Sequence, residues 1–247
     1  MKLHTATRGN GPVKIVLVHG LGVDGTTWEP FADALLAHVD ATVIAPDLRG
    51  HGESPRADAY SVDTFADDLV ETLPRDLDVV MGHSLGGAVV ERAVPRLAPR
   101  RAIYLDPGFR LALPTMGLKG RLFWAASPIT LTVAALLTAR GNRAARESYP
   151  ARSHELADAA QKRFDRRMAS SVFRDIAHHP VIAGAPAVPS TVLLTGQSTA
   201  VLPDALADEL ETHGWDVRRL PGTRHDVQLQ DPAGTYAALA DVLGVAQ

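Results

Sequence analysis

The strongest constraint on this chain is a strand–helix alternation that runs along both of its ends and stops in the middle. Lys14 to His19 (KIVLVH) is an apolar, β-branched run of the kind buried in a parallel sheet. From Trp28 to His38 the apolar residues Trp28, Phe31 and Leu35 recur at helical spacing, and Ala41 to Ala45 is again a short strand. Ser61 to Leu73 reads as a helix capped by Ser61, Val79 to Met81 as a strand, Leu85 to Leu97 as a helix and Arg101 to Leu105 as a strand. Leu3 to Thr7 precedes them as a possible edge strand. The pattern then lapses between 107 and 187, where segments have only helical character. His154 to Ile176 is one, with Leu156, Ala160, Phe164 and Met168 sharing a face. Alternation resumes with Thr191 to Thr195, a helix from Pro203 to Thr212, a strand from Val217 to Leu220 and a last helix opened by Asp231-Pro232. Strands separated by helices imply an α/β fold, a mainly parallel sheet covered on both faces. The expected core is 1–106 and 188–247, with 107–187 as a helical lid.

Composition narrows the function. The 247 residues are 46% hydrophobic and 21% charged, which suits one elaborated domain. A net charge of -3 gives no global basic field, so nucleic acid is not an expected partner. The absence of cysteine excludes thiolate catalysis, disulfides and the common zinc frameworks. The first twenty residues hold no uninterrupted apolar region behind a basic start, so no signal peptide is read and the expected location is cytoplasmic. Phe123 to Ala139 carries no charge, but it is short of the roughly 20 apolar residues a span needs and contains Pro128. It reads as buried lid helices, a membrane-facing surface being the alternative. The 107–187 stretch also has twelve Lys and Arg against five Asp and Glu. Either these charges are paired on a solvated helix surface, or the lid attracts an anionic substrate, partner or lipid surface.

Gly82-His83-Ser84-Leu85-Gly86 fits G-x-S-x-G. Alone the pattern is weak, but here it follows a strand and opens a helix, the context of a nucleophile elbow. The tight turn lifts the serine into an unusual backbone geometry, and flanking glycines relieve the crowding. The helix start offers the Leu85 N–H to a developing oxyanion. His19-Gly20-Leu21-Gly22 ends the first buried strand with glycines that let a backbone N–H approach a ligand, making Leu21 the second candidate donor. Of ten histidines, His225 in GTRHD is preferred as the base because it lies in the loop between the last strand and the last helix, at a carboxyl end of the sheet. His83 adjoins the serine, His178 and His179 lie in the lid, and His4 and His38 lie outside any loop cluster; His19 is read as structural.

HGLG at 19–22, DLRGHGES at 47–54, GHSLGG at 82–87 and RHDVQLQDP at 224–232 together resemble the α/β-hydrolase superfamily in order and spacing. The resemblance covers roughly 1–106 and 188–247. It implies an eight-stranded-type sheet and a triad of Ser84, an acid and His225, with Leu21 and Leu85 as oxyanion donors. Many relatives carry the acid after the penultimate strand, but there this chain has Gly196-Gln197-Ser198-Thr199-Ala200-Val201-Leu202-Pro203, with Thr199 where an aspartate is expected. Asp106, which closes the strand after the elbow helix, is the candidate acid in its place, and Asp204 is the nearby alternative. Asp226 is expected to point elsewhere, and the charges of DLRGHGES to shape their own loop.

The expected activity is hydrolysis of a small carboxylic ester or lactone through an acyl-enzyme. Carbon–carbon bond hydrolysis, a lyase or cyclase step on the same scaffold, and a non-catalytic ligand receptor are the rivals. A serine at the elbow counts against the carboxylate nucleophile of epoxide hydrolases and dehalogenases, and no metal or organic cofactor is implied.

Overall fold

The computed structural model describes residues 1–111, 113–126, 146–196 and 202–244. Seven strands form one sheet: β1 Thr5–Arg8, β2 Val13–Val18, β3 Ala41–Pro46, β4 Val79–His83, β5 Arg101–Leu105, β6 Ser190–Thr195 and β7 Asp216–Leu220. Their order is β1-β3-β2-β4-β5-β6-β7, with β1 antiparallel to β3 and every other pairing parallel. The sheet among the described residues is thus one strand short of the eight-stranded type. Only Thr5–Arg8 precedes β2, and Gly9, at a φ of 73°, turns the chain directly from one to the other.

The strand residues alternate between two cores, as a pleated strand requires. Val16, Val18, Val80, Tyr104, Val192 and Leu194 pack on one face, whereas Ile15, Leu17, Val79, Met81, Ile103, Leu105 and Leu193 pack on the other. The first face is covered by helices α2 (Val62–Thr72) and α3 (Leu85–Leu97) and by the helix Asp204–Thr212. Helix α1 (Glu29–Leu36) and the C-terminal helices cover the second. Ser61 caps α2 as expected, in a reciprocal box: Thr64 N–H donates to Ser61 Oγ at 3.2 Å and Ser61 N–H to Thr64 Oγ1 at 3.0 Å.

Between β5 and β6 the described residues include helices Gly117–Ala125, Ala151–Gln161 and Ala169–His178. The continuous helical character expected for 154–176 is broken at 162–168, where a 3-10 turn runs from Arg166 to Met168. Contacts with the core cause the break. Asp165 N–H donates to Gly50 O at 2.8 Å, and the buried Asp165 carboxylate takes Tyr60 OH at 3.0 Å and the Arg167 guanidinium. Leu156, Ala160 and Met168 are buried nonetheless. Most of the apolar 123–139 stretch lies outside the described residues, among which no helix is long and apolar enough to cross a membrane.

Two arginines of the 107–187 segment reach acids of the loop and helix that follow β2: Arg163 binds Asp24 at 2.7 Å and Arg152 binds Glu29 at 2.8 Å. Arg146 and Arg167 pair within the insertion, with Asp158 and Asp165. Part of the basic excess of this segment is therefore matched by acids of the core it sits on.

Candidate active site

Strand order decides where a site can form. The chain passes from β2 to β3 on one side and then to β4 on the other, so the connections that leave the paired carboxyl ends of β2 and β4 run to opposite faces of the sheet, the kind of switch point at which α/β sites assemble. The loop after β2 holds Gly20 to Asp24, and the turn after β4 holds Ser84. A Cβ at Gly20 would stand 3.1 Å from Ser84 Cβ and 3.0 Å from His83 Nδ1, which measures how closely the two loops approach.

Ser84 has φ 52° and ψ −117°, outside the ordinary regions for a residue with a side chain. The turn is held by Ser84 N–H donating to Leu105 O at 3.1 Å and by Gly87 N–H and Gly108 N–H donating to Ser84 O at 3.0 and 2.8 Å. A Cβ at Gly82 would lie 2.3 Å from Gly86 O, and one at Gly86 would lie 2.4 Å from Val18 O. Both glycines are therefore required by backbone contact. Neither the Leu21 nor the Leu85 N–H has a backbone acceptor among the described residues.

Asp106 follows β5, the strand beside β4, and is fully buried with a φ of 38°. Its Oδ2 accepts from His225 Nδ1 at 2.6 Å, and His225 Nε2 is 2.8 Å from Ser84 Oγ. The structure so brings Ser84, His225 and Asp106 into one hydrogen-bonded line. Asp204 is elsewhere: it is exposed and binds Arg219 at 2.9 Å. Thr199 lies outside the described residues. His4 bonds Asp47 and His38 stacks on Tyr236, both away from the line, and His178 and His179 bond within their own helix.

Burial works against protonation of His225, but the Asp106 hydrogen bond and the charges of Asp226 and Asp106 outweigh it and raise the imidazole above its ordinary range. Asp226 turns towards Tyr149, whose hydroxyl donates to Asp226 Oδ2, and its Oδ1 lies 3.7 Å from His83 Nε2. Sequence reasoning gave His83 no part. Its Nε2–H donates to His225 O at 2.9 Å, tying the loop that carries His225 to the strand that leads into Ser84. Burial, and then His225, push its pKa down to about 4, so it stays neutral. The available signal was position alone: a residue preceding the elbow serine points to the opposite side of the strand. His83, His225 and Asp226 offer ligand atoms within 4.8 Å of one another, yet His83 Nε2 and both His225 nitrogens are already committed to hydrogen bonds.

The profile of the Alpha/beta hydrolase family matches residues 15–239. This chain belongs to that family. An uncharacterised protein of Mycobacterium tuberculosis is 41% identical over an alignment of 125 positions that covers 44% of this alpha/beta hydrolase and 36% of that protein. Protein phosphatase methylesterase 1 of Mus musculus is 38% identical over an alignment of 98 positions that covers 36% of this chain and 25% of that one. The match thus spans well under half the length of these curated relatives. Among solved structures, the enol-lactonase from Burkholderia xenovorans superposes with a TM-score of 0.73 at 22% identity, over 98% of this chain and 96% of that one. That likeness is one of fold.

Proposed function

We propose that this alpha/beta hydrolase is a serine hydrolase acting on a small carboxylic ester or lactone. The observation that carries the reading is the line from Ser84 Oγ through His225 to Asp106 Oδ2, at 2.8 and 2.6 Å. A base within hydrogen-bond reach of a hydroxyl, and itself oriented by a buried carboxylate, is the arrangement that makes a serine nucleophilic.

In this mechanism His225 Nε2 takes the Ser84 proton as Oγ attacks the carbonyl carbon. The Leu21 and Leu85 N–H groups hold the oxyanion. The intermediate collapses to an acyl-Ser84 ester, and the alcohol leaves with the proton returned by His225. Water, deprotonated by the same imidazole, then attacks the acyl carbon and releases the acid and free Ser84. Asp106 keeps Nδ1 protonated and balances the imidazolium. The 107–187 insertion acts as a lid over this site, and an ester or lactone fits because its alkoxide is an easier leaving group than an amine.

A fluorophosphonate tests the nucleophile. Intact-mass and peptide analysis should find one adduct on Ser84, lost in Ser84→Ala. An unlabelled, folded protein would overturn the hydrolase reading in favour of a ligand receptor. Hydrolysis of 4-nitrophenyl acetate and of a small lactone then separates the two substrate classes.

A further inference from the structure

The 47–54 loop, DLRGHGES, takes no chemical part in that mechanism, yet two of its side chains grip the loop that offers Leu21. Asp47 Oδ1 accepts from Gly25 N–H at 2.8 Å, and His51 Nε2 accepts from Gly22 N–H at 3.2 Å. His51 is fully buried and its Nδ1–H donates to Arg49 O at 3.1 Å, which leaves Nε2 as a bare acceptor. The ring is fixed on two further sides, by Phe164 of the insertion, stacked at 5.2 Å and 24°, and by the His19 edge at 4.9 Å.

Leu21 lies between two peptide planes. The first carries Gly20 O, which accepts from His19 Nδ1–H at 2.8 Å. In a trans peptide the N–H points opposite to the carbonyl, so the Leu21 N–H is turned away from His19. Gly20, in that same plane, backs onto Ser84. The second plane carries the Gly22 N–H held by His51. Gly22 has a φ of 80°, and a glycine there has broad freedom on the side where His51 grips it. With that acceptor the turn is held on both sides of Leu21; without it the first plane, which carries the Leu21 N–H, is held from the His19 side alone.

We infer that His51 is a positioning residue for the oxyanion site, holding the peptide after Leu21 while His19 holds the peptide before it, so that the turn keeps the Leu21 N–H facing the Ser84 adduct. The inference rests on the serine-hydrolase reading. Burial, together with the neighbouring His19, pushes the His51 pKa down to about 3, so the imidazole remains an acceptor across the working range. The contact with Phe164 extends the support to the insertion, whose seating on the core keeps the ring in place.

The test compares His51→Phe with His51→Gln in the full-length protein. Phenylalanine keeps the ring packing and removes the acceptor; the glutamine carboxamide oxygen stands near the position of Nε2. His51→Phe should lower kcat for 4-nitrophenyl acetate about 10- to 100-fold, short of the effect of deleting a donor, with KM changed less than about threefold. Fluorophosphonate labelling of Ser84 should slow in parallel, and His51→Gln should restore most of both rates. Folded His51→Phe with a kcat within twofold of wild type overturns the inference, as does a Gln variant no better than Phe. If His51→Phe does not fold, imidazole nitrogen NMR of the wild type decides: Nε2 must be unprotonated, and a protonated Nε2 overturns the inference. Failure of the hydrolase reading looks different, because wild-type Ser84 then takes no label at all.

Discussion

Ser84 and Asp106 occupy matching positions one step past a parallel ladder. The β4–β5 register sets His83 beside Leu105, and the next residue on each strand leaves the sheet with a positive φ, 52° at Ser84 and 38° at Asp106. Both turns are pinned by ladder-like bonds, Ser84 N–H to Leu105 O and Asp106 N–H to Leu193 O. Backbone strain at adjacent strand ends thus presents a hydroxyl and a carboxylate to one imidazole.

Asp106→Asn should lower kcat for a small ester by about 10⁴-fold, because an amide donates as readily as it accepts and no longer fixes the His225 tautomer. The circular dichroism spectrum should be unchanged. A rate within tenfold of wild type would remove Asp106 from the mechanism.

The pH profile follows from His225. In the proposed mechanism His225 works as a base only when neutral, and its pKa is raised, so the acid limb of kcat/KM should have its midpoint above 6.5. Asp226→Asn removes one of the charges that favour the imidazolium and should move the limb down while leaving the plateau of kcat largely intact. A limb that stays in place argues that the Asp226 charge is not felt at His225.

Acid stability depends on other histidines. His51 and His83 have pKa values pushed down to about 3 and about 4, and burial lowers His19 as well. Each binds a proton more readily unfolded than folded, so stability falls as pH drops below 6.5, by about 1.4 kcal/mol per pH unit for each group. The raised His225 does not oppose this, since its contribution is complete below 6.5 and is lost only above it. Urea midpoints should therefore decline between pH 7 and pH 5, and a flat profile would show that these rings find another way to accept the proton.

Gly86→Ala sets a new methyl carbon against Val18 O and His19 O, at 2.4 and 2.6 Å, where only backbone can yield. The expected cost is about 1–3 kcal/mol of stability, with Ser84 labelling slowed because the elbow must shift. Thermal melts and labelling rates measured together check both effects.

Arg163→Ala leaves the buried Asp24 carboxylate with Thr26 as its remaining partner. Arg163 is itself about one-third exposed, so the loss should be moderate, about 1–3 kcal/mol. Limited proteolysis should cut the insertion faster in the variant. Equal cleavage rates would mean that the ion pair does not hold the insertion to the core.

What the sequence determined by itself was local. Apolar β-branched runs, the cap at Ser61, and a G-x-S-x-G between a strand and a helix are set by neighbours within a few residues, and β5 and α3 lie where the pattern puts them. The break at 162–168 was not legible, because it comes from Gly50 and Tyr60, more than 100 residues earlier in the chain. Asp106 and His225 were legible as candidates from their places at strand ends, but their pairing was not. Asp106 and His225 stand 119 positions apart, and only the β4–β5–β6–β7 order, with the insertion passing outside the sheet, brings them within 2.6 Å. Hydrogen bonds of this kind depend on direction and burial, which periodicity does not encode. His51 and His83 show it most clearly: nothing in their neighbours distinguishes them from packing residues, and their partners exist only once the loop after β3 meets the loop after β2 and the loop after β7 meets the end of β4.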